Sequence, residues 1–185
     1  GFMETGPKIV HMSFDRSCNL KCPSCRIESI MANGEKLEKI DITIEQMEEL
    51  YSDSIETIYC SGTADPFASK SYRNYLKNFN PKKYPNLKYI HLHTNATLWD
   101  EKMWEDMKNI HPYVKTCEIS IDAASEDVYK QVRRGGDWNT LLTNLNTIST
   151  LGLKDVRVSF VVQDSNYFQM LEFYTIMMKI FFKVI

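Results

Sequence analysis

The sequence has no apolar run long enough to cross a membrane. Its most apolar stretch, residues 168–185, is interrupted by Glu172, Lys179 and Lys183, whereas a spanning helix needs about 20 predominantly apolar residues. Residues 1–7 also lack the apolar segment of a secretory signal. We therefore expect a cytoplasmic protein with no membrane partner.

An excess of basic residues is also missing. The 185 residues include 22 Lys and Arg against 24 Asp and Glu, which gives a net charge of −2. Proteins that bind nucleic acid usually show a basic face, and the densest basic run here is only Lys82 and Lys83. We therefore expect no nucleic-acid partner. The length, with 43% hydrophobic and 25% charged residues, suits one globular domain with a buried core.

Cysteine is scarce, but it is unevenly placed. Three of the five cysteines, Cys18, Cys22 and Cys25, fall within eight residues in the pattern C-x3-C-x2-C. Secreted disulfide scaffolds do not space cysteines in this way, and clustered cysteines in a reducing compartment are more often metal ligands. The other two, Cys60 and Cys117, lie in strand-like runs, so we interpret both as core residues.

Five short runs of β-branched and aromatic residues indicate strands. They cover residues 8–14, 55–60, 87–93, 116–121 and 156–162. Helical patterns separate them, such as an apolar stripe over residues 44–51, and the capping-box pair Thr43 and Gln46 predicts that this helix begins there. Alternating strands and helices predict βαβ units and a parallel sheet in an α/β fold. A sixth strand is expected at residues 181–185, after a helix that begins near Asn166.

Three clustered thiolates suit an iron–sulfur cluster with an open iron. A 4Fe–4S cubane usually takes four thiolates, so three leave one iron free, as catalytic metal sites require. The alternative is a structural zinc site with a distant fourth ligand. That ligand would be Cys60, Cys117, His11, His91, His93 or His111. His91 and His93 share one face of the third strand, and we interpret them as packing and hydrogen-bonding residues.

The cysteine loop follows the first predicted strand directly. This arrangement resembles the radical S-adenosylmethionine (radical SAM) superfamily, whose hallmark is C-x3-C-x2-C after the first strand of a partial (β/α)6 TIM-like barrel. The resemblance runs from Ile9 to Asn166. It is closest to the branch of peptide- and cofactor-maturing enzymes that carry C-terminal auxiliary-cluster domains. It implies one radical SAM core domain over residues 1–185, incomplete at its C-terminus, with the barrel truncated after the fifth or sixth strand.

Further polar motifs follow the second, third and fourth predicted strands. Because the carboxyl ends of parallel strands meet at one edge, these motifs are expected to form one site. The resemblance implies that the site binds S-adenosylmethionine. Arg133 would hold the methionine carboxylate through its forked guanidinium, with Arg134 as the alternative. The implied contacts are Gly62, Thr63, Asp65, Thr94, Asn95, Ser120, Asp122 and Arg133.

Three positions depart from the family's pattern. Thr63, Ala64 and Asp65 stand in place of a Gly-Gly-Glu element that binds the amino group of S-adenosylmethionine, so the carboxylate is kept on a shorter side chain. Ala96 replaces the glycine of a Thr-Asn-Gly element, which argues against a positive φ there. Ser24 stands where the family usually has an aromatic residue.

The resemblance implies reductive cleavage of S-adenosylmethionine at a 4Fe–4S cluster, giving a 5′-deoxyadenosyl radical that abstracts hydrogen from a substrate. An electron donor such as flavodoxin or ferredoxin would be a partner, and no catalytic side chain is expected beyond the cluster ligands. We expect a peptide substrate, with small-molecule or cofactor biosynthesis as the alternative. The other classes are a non-catalytic iron–sulfur or zinc-binding module and a metal-free barrel enzyme with incidental cysteines.

Overall fold

A single parallel sheet forms the centre of the protein. The computed structural model describes residues 6–60 and 63–183. Within them, five strands lie side by side in the order in which they occur in the chain. They are β1 Ile9–Met12, β2 Thr57–Cys60, β3 Tyr89–Thr94, β4 Val114–Ser120 and β5 Asp155–Ser159. Each of the first five predicted strands overlaps an observed one, so the predicted α/β fold with a parallel sheet is confirmed.

Helices connect the strands, as the alternating pattern predicted. They are α1 Gly34–Tyr51, α2 Lys70–Lys77, α3 Glu101–Glu105, α4 Glu126–Val132, α5 Trp138–Ser149 and α6 Met170–Phe182. The prediction that the first helix begins at Thr43 is wrong, because α1 begins at Gly34 and Thr43 lies inside it. There the Thr43 hydroxyl donates to the Lys39 carbonyl at 2.7 Å. The buried stripe includes Ile40 as well as Ile44, so packing extends the helix towards its N-terminus.

One face of the sheet packs against the helices and forms the core. Its fully buried strand residues include Met12, Ile58, Cys60, Leu92 and Cys117. Burial raises the pKa of the Cys117 thiol to about 12 and raises that of Cys60 further. Both are free thiols, and the prediction that they are core residues is confirmed.

The opposite face of the sheet is polar and aromatic. The rings of His11 and Tyr59 stack with their centroids 4.4 Å apart, and the ring of His91 lies 5.1 Å from that of Tyr59. His91 Nδ1 makes a hydrogen bond of 2.7 Å to Thr116 Oγ1. Burial lowers the pKa of His91, so the neutral ring is favoured. This matches the interpretation of His91 as a packing and hydrogen-bonding residue.

The C-terminal segment differs from the prediction. β5 ends at Ser159, so Val161 and Val162 lie beyond the strand and are 49% and 56% exposed. Residues 181 and 182, expected to begin a sixth strand, belong to α6 instead, and residues 184–185 lie outside the described range. The apolar sequence gives no Gly, Pro or Asn to stop the helix earlier. In the described part of the chain, no helix is long and apolar enough to span a membrane.

Candidate active site

A cavity of about 250 Å³ lies at the carboxyl ends of the first four strands. Its lining residues are Cys18, Cys22, Cys25, Arg26, Thr63, Ala64, Asp65, His93, Thr94, Asn95, Ser120 and Arg133. The cavity therefore brings together the three clustered cysteines and most of the expected S-adenosylmethionine contacts. Gly62 lies outside the described residues. Asp122 is not among the lining residues and lies against Arg133 instead.

The cysteine loop, residues 13–33 between β1 and α1, is held by hydrogen bonds rather than by regular structure. The buried carboxylate of Asp15 accepts from the backbone N–H of Ser17 at 3.0 Å and from its hydroxyl at 2.9 Å. Cys18 pairs with Ile30 across the loop, with its N–H donating to the Ile30 carbonyl at 2.8 Å. Near Cys22, the Lys21 N–H donates to the carbonyl of Arg134 at 2.9 Å. These bonds tie the loop to itself and to the segment that follows α4.

A side-chain N–H group approaches each of the three sulfurs. The amide Nδ2 of Asn95 lies 3.7 Å from Cys18 Sγ, and Nη1 of Arg133 lies 3.7 Å from Cys22 Sγ. Both Nε and Nη2 of Arg26 lie 3.4 Å from Cys25 Sγ. These distances are within hydrogen-bonding range for sulfur, so the cavity presents donors to thiolates.

The thiols differ in their surroundings. Burial raises the pKa of Cys18 and of Cys22, and for Cys22 the Arg133 guanidinium acts in the opposite direction. Among the described residues, no three His, Cys, Asp or Glu side chains converge as ligands of one metal ion. A cubane makes a different demand, because each thiolate binds a separate iron and the three sulfurs stay apart.

Asp65 connects the turns after β2 and β3. Its Oδ2 accepts hydrogen bonds from the Thr94 hydroxyl and from the Asn95 N–H, both at 2.8 Å. Its Oδ1 accepts from the N–H of Phe67 at 3.0 Å and of Ala68 at 3.2 Å. Burial raises the pKa of the Asp65 carboxyl and these hydrogen bonds lower it. Four protein donors thus already occupy this carboxylate.

The turn after β3 adopts the conformation that the sequence argued against. Ala96 has a φ of 60°, so the expectation based on its side chain is wrong. The Ala96 N–H donates to the Thr94 hydroxyl at 2.9 Å, and the Ala96 carbonyl accepts from Asn144 Nδ2 at 2.8 Å. These bonds on both sides hold a left-handed backbone that costs an L-residue about 1–2 kcal/mol.

Asp122 and Arg133 form a buried ion pair beside Cys22. Arg133 Nη2 lies 2.8 Å from Asp122 Oδ2, with side-chain exposures of 11% and 1%. Asp122 has a φ of 63°, and its Oδ1 accepts from the Val161 N–H at 2.8 Å. Arg134, the alternative that the sequence left open, is exposed. Of Arg133 and Arg134, it is therefore Arg133 that lines the cavity.

Three lining residues, Ala64, His93 and Arg26, are neither clustered cysteines nor implied S-adenosylmethionine contacts. His93 lines the cavity, and its Nε2 lies 3.0 Å from Ser120 Oγ and 3.8 Å from Glu118 Oε1. Ser120 Oγ lies 3.1 Å from Ser159 Oγ in turn. The position of His93 at the last inward-facing site of β3 could have identified it. Arg26 gave no such signal, because it follows the third cysteine in a loop.

The Radical SAM superfamily profile matches residues 12–171. The chain belongs to the radical SAM superfamily. This superfamily consists of enzymes that use a 4Fe–4S cluster and S-adenosylmethionine, so the expected class of protein and its expected cofactors are confirmed at the level of the family.

Two curated relatives carry the same name. The GTP 3′,8-cyclase of Alkaliphilus metalliredigens is 28% identical over 157 residues, which are 83% of this chain and 47% of that protein. The GTP 3′,8-cyclase of Clostridium perfringens is 25% identical over 165 residues, 88% of this chain and 49% of that protein. This radical SAM chain thus spans about half the length of these relatives.

Solved structures share the fold. SuiB of Streptococcus suis, bound to S-adenosylmethionine, matches with a TM-score of 0.59 and 16% identity over 92% of this chain and 36% of that one. The enzyme anSMEcpe, bound to S-adenosylmethionine and a peptide, matches with a TM-score of 0.59 and 20% identity over 90% and 46% of the two chains. At these identities the likeness concerns the fold alone, and it agrees with the expected partial barrel.

Proposed function

We propose that Cys18, Cys22 and Cys25 hold a 4Fe–4S cluster and that the adjoining cavity binds S-adenosylmethionine for reductive cleavage. The main support is that one cavity is lined by all three cysteines and by polar residues at the carboxyl ends of β2, β3 and β4. When bound, the cluster supplies the electron that cleaves S-adenosylmethionine, giving the 5′-deoxyadenosyl radical that abstracts hydrogen from a substrate.

The donor set around the sulfurs fits a cluster. Thiolate ligands carry negative charge, and hydrogen bonds to cluster sulfurs are among the features that stabilise and tune such centres. Asn95, Arg133 and Arg26 supply one such partner each to Cys18, Cys22 and Cys25. Two of these three partners are cationic, which offsets the repulsion between neighbouring thiolates.

Arg133 is the proposed partner of the S-adenosylmethionine carboxylate. Its Nη1 and Nη2 already contact Cys22 and Asp122, but its Nε is buried and has no hydrogen-bond partner among the described residues. A bound carboxylate would give this N–H an acceptor in a charge-assisted hydrogen bond. Asp122 then serves to orient the guanidinium rather than to contact S-adenosylmethionine itself.

The remaining expected contacts divide into two groups. Gly62, Thr63 and the Ser120 hydroxyl are proposed to contact S-adenosylmethionine directly. Asp65, Thr94 and Asn95 are proposed to position the walls of the site, because their polar atoms already bond to one another and to the cysteine loop. This reassigns Asp65 from ligand contact to support.

The substrate is proposed to be a small molecule, and GTP is the first candidate. The support is that the curated relatives are named GTP 3′,8-cyclases. The peptide-bound neighbour shares only the fold, so the comparisons give no specific support to the expected peptide. Formation of 5′-deoxyadenosine that rises when GTP is added, and not when unrelated peptides are added, would support the assignment of GTP as the substrate.

An external one-electron donor such as flavodoxin or ferredoxin is proposed as the partner.

The cluster assignment is tested by metal analysis of the anaerobically reconstituted protein. We expect about four irons and four sulfides per chain, and Cys22→Ala should lose both the iron and the brown colour. Cys60→Ala is the matched control, because Cys60 is fully buried in the core and its loss should leave the iron content unchanged. A single zinc per chain, or a Cys22→Ala protein that keeps its iron, would contradict the proposal and favour the zinc-binding module.

A further inference from the structure

Arg26 is the residue that follows the third cysteine, and its guanidinium is anchored at three points. Nη1 donates to the backbone carbonyl of Arg16 at 2.7 Å, and Nη2 donates to the carbonyl of Thr63 at 2.6 Å. Nε and Nη2 both lie 3.4 Å from the sulfur of Cys25. Because two carbonyls hold the fork, the cation stays against this sulfur instead of moving in solvent.

The cysteine that Arg26 contacts is the most exposed of the three. Cys25 is exposed, whereas Cys18 is half-buried and Cys22 is buried. Iron–sulfur reduction potentials depend on net charge, on hydrogen bonds to the sulfurs and on solvent exposure. Reduction adds a negative charge, so a fixed cation with N–H groups directed at a ligand sulfur stabilises the reduced state more than the oxidised state.

We propose that Arg26 raises the reduction potential of the cluster by holding its guanidinium against the sulfur of Cys25. This inference rests on the proposed function, since it takes Cys25 as a cluster ligand. Arg26 thereby makes the cluster easier to reduce by the electron donor. The hydrogen bonds to the carbonyls of Arg16 and Thr63 keep the guanidinium in place. Its contact with the sulfur of Cys25 raises the reduction potential.

The experiment compares Arg26→Gln with Arg16→Gln in anaerobically reconstituted protein without S-adenosylmethionine. The two changes remove the same charge from the same loop. The side chain of Arg16 is exposed, and its carbonyl, which accepts from Arg26, survives the substitution. The cluster midpoint potential is measured by redox titration with electron paramagnetic resonance of the reduced cluster, and iron is counted per chain.

We expect Arg26→Gln to lower the ratio of reduced to oxidised cluster at a fixed potential by about tenfold, which is about 59 mV for one electron. Arg16→Gln should lie close to the unsubstituted protein. Arg26→Lys, which keeps the charge but loses the forked pair of N–H groups, should lie between them. These shifts require no turnover.

Equal potentials for Arg26→Gln and Arg16→Gln would overturn the proposal. Loss of iron from both Arg26 variants while Arg16→Gln stays loaded would also overturn it, because Arg26 would then be a clamp of the loop rather than a determinant of the potential. Failure of the unsubstituted protein to take up iron is a different result, since it would contradict the proposed function itself.

Discussion

The assignment of Asp65 as a support of the site makes a sharp prediction for Asp65→Asn. The carboxylate accepts four hydrogen bonds, two on each oxygen, and the side chain is 3% exposed. An asparagine of the same shape keeps one accepting oxygen, while its NH₂ group faces the other two donors. Two bonds to a charged acceptor are thus lost, each contributing about 1.5–3 kcal/mol. Removing a buried charge offsets part of this loss, so we expect unfolding free energy to fall by about 3 kcal/mol.

Urea unfolding of the iron-free protein measures this loss. With a slope of about 1–3 kcal/mol per molar for a protein of this size, a loss of about 3 kcal/mol should lower the midpoint by about 1–3 M. Asp164→Asn is the matched control, because Asp164 is exposed and its substitution should leave the midpoint unchanged. The reasoning is refuted if Asp65→Asn unfolds at the midpoint of the control but binds S-adenosylmethionine much more weakly. That result would make Asp65 a direct contact after all.

Three further outcomes are expected. Burial lowers the pKa of His91, so the unfolded chain binds a proton at this residue more tightly than the folded protein does. Stability should therefore fall as the pH drops below about 6.5. His91→Gln should reduce the difference between the urea midpoints at pH 7.5 and 5.5, and an unchanged difference contradicts the prediction. Arg133→Gln should weaken S-adenosylmethionine binding by calorimetry about tenfold or more, whereas an equal loss in Arg134→Gln would exclude the assignment. Removing iron with a chelator should leave the far-ultraviolet circular dichroism unchanged, since backbone hydrogen bonds such as that from Cys18 to Ile30 hold the cysteine loop. A large loss of signal would contradict this expectation.

The sequence was sufficient for the sheet and for the location of the site. Strand runs are short, apolar and bounded by turns, so their alternation with helices predicts a parallel sheet. Because the polar motifs all follow strands, their convergence around Cys18, Cys22 and Cys25 could be predicted from the order of the elements, without knowledge of any interatomic distance. The family and its cofactors were implied by the resemblance of the cysteine loop after the first strand to the radical SAM superfamily, and the family profile confirms them.

The errors have identifiable physical causes, which lie in tertiary packing and tertiary hydrogen bonds. The helix start at Thr43 was wrong because a capping pattern inside a longer apolar stripe is overridden by packing. The positive φ of Ala96 is held by hydrogen bonds from distant parts of the chain, including Asn144, which no local pattern reveals. The same applies to Asp65, whose four donors come from two separate turns, and to Arg26, whose anchors lie in two loops. Tertiary hydrogen bonds decide these features, and pairwise contacts cannot be read from one sequence.

The central claim is tested most directly by cleavage of S-adenosylmethionine. The reconstituted protein is reduced anaerobically with dithionite, and 5′-deoxyadenosine is quantified by chromatography, with Cys22→Ala as the inactive reference and Cys60→Ala as the matched control. The account predicts 5′-deoxyadenosine from the unsubstituted protein and from Cys60→Ala, and none above background from Cys22→Ala. A loaded cluster that yields no 5′-deoxyadenosine, or equal yields from all three proteins, would contradict it.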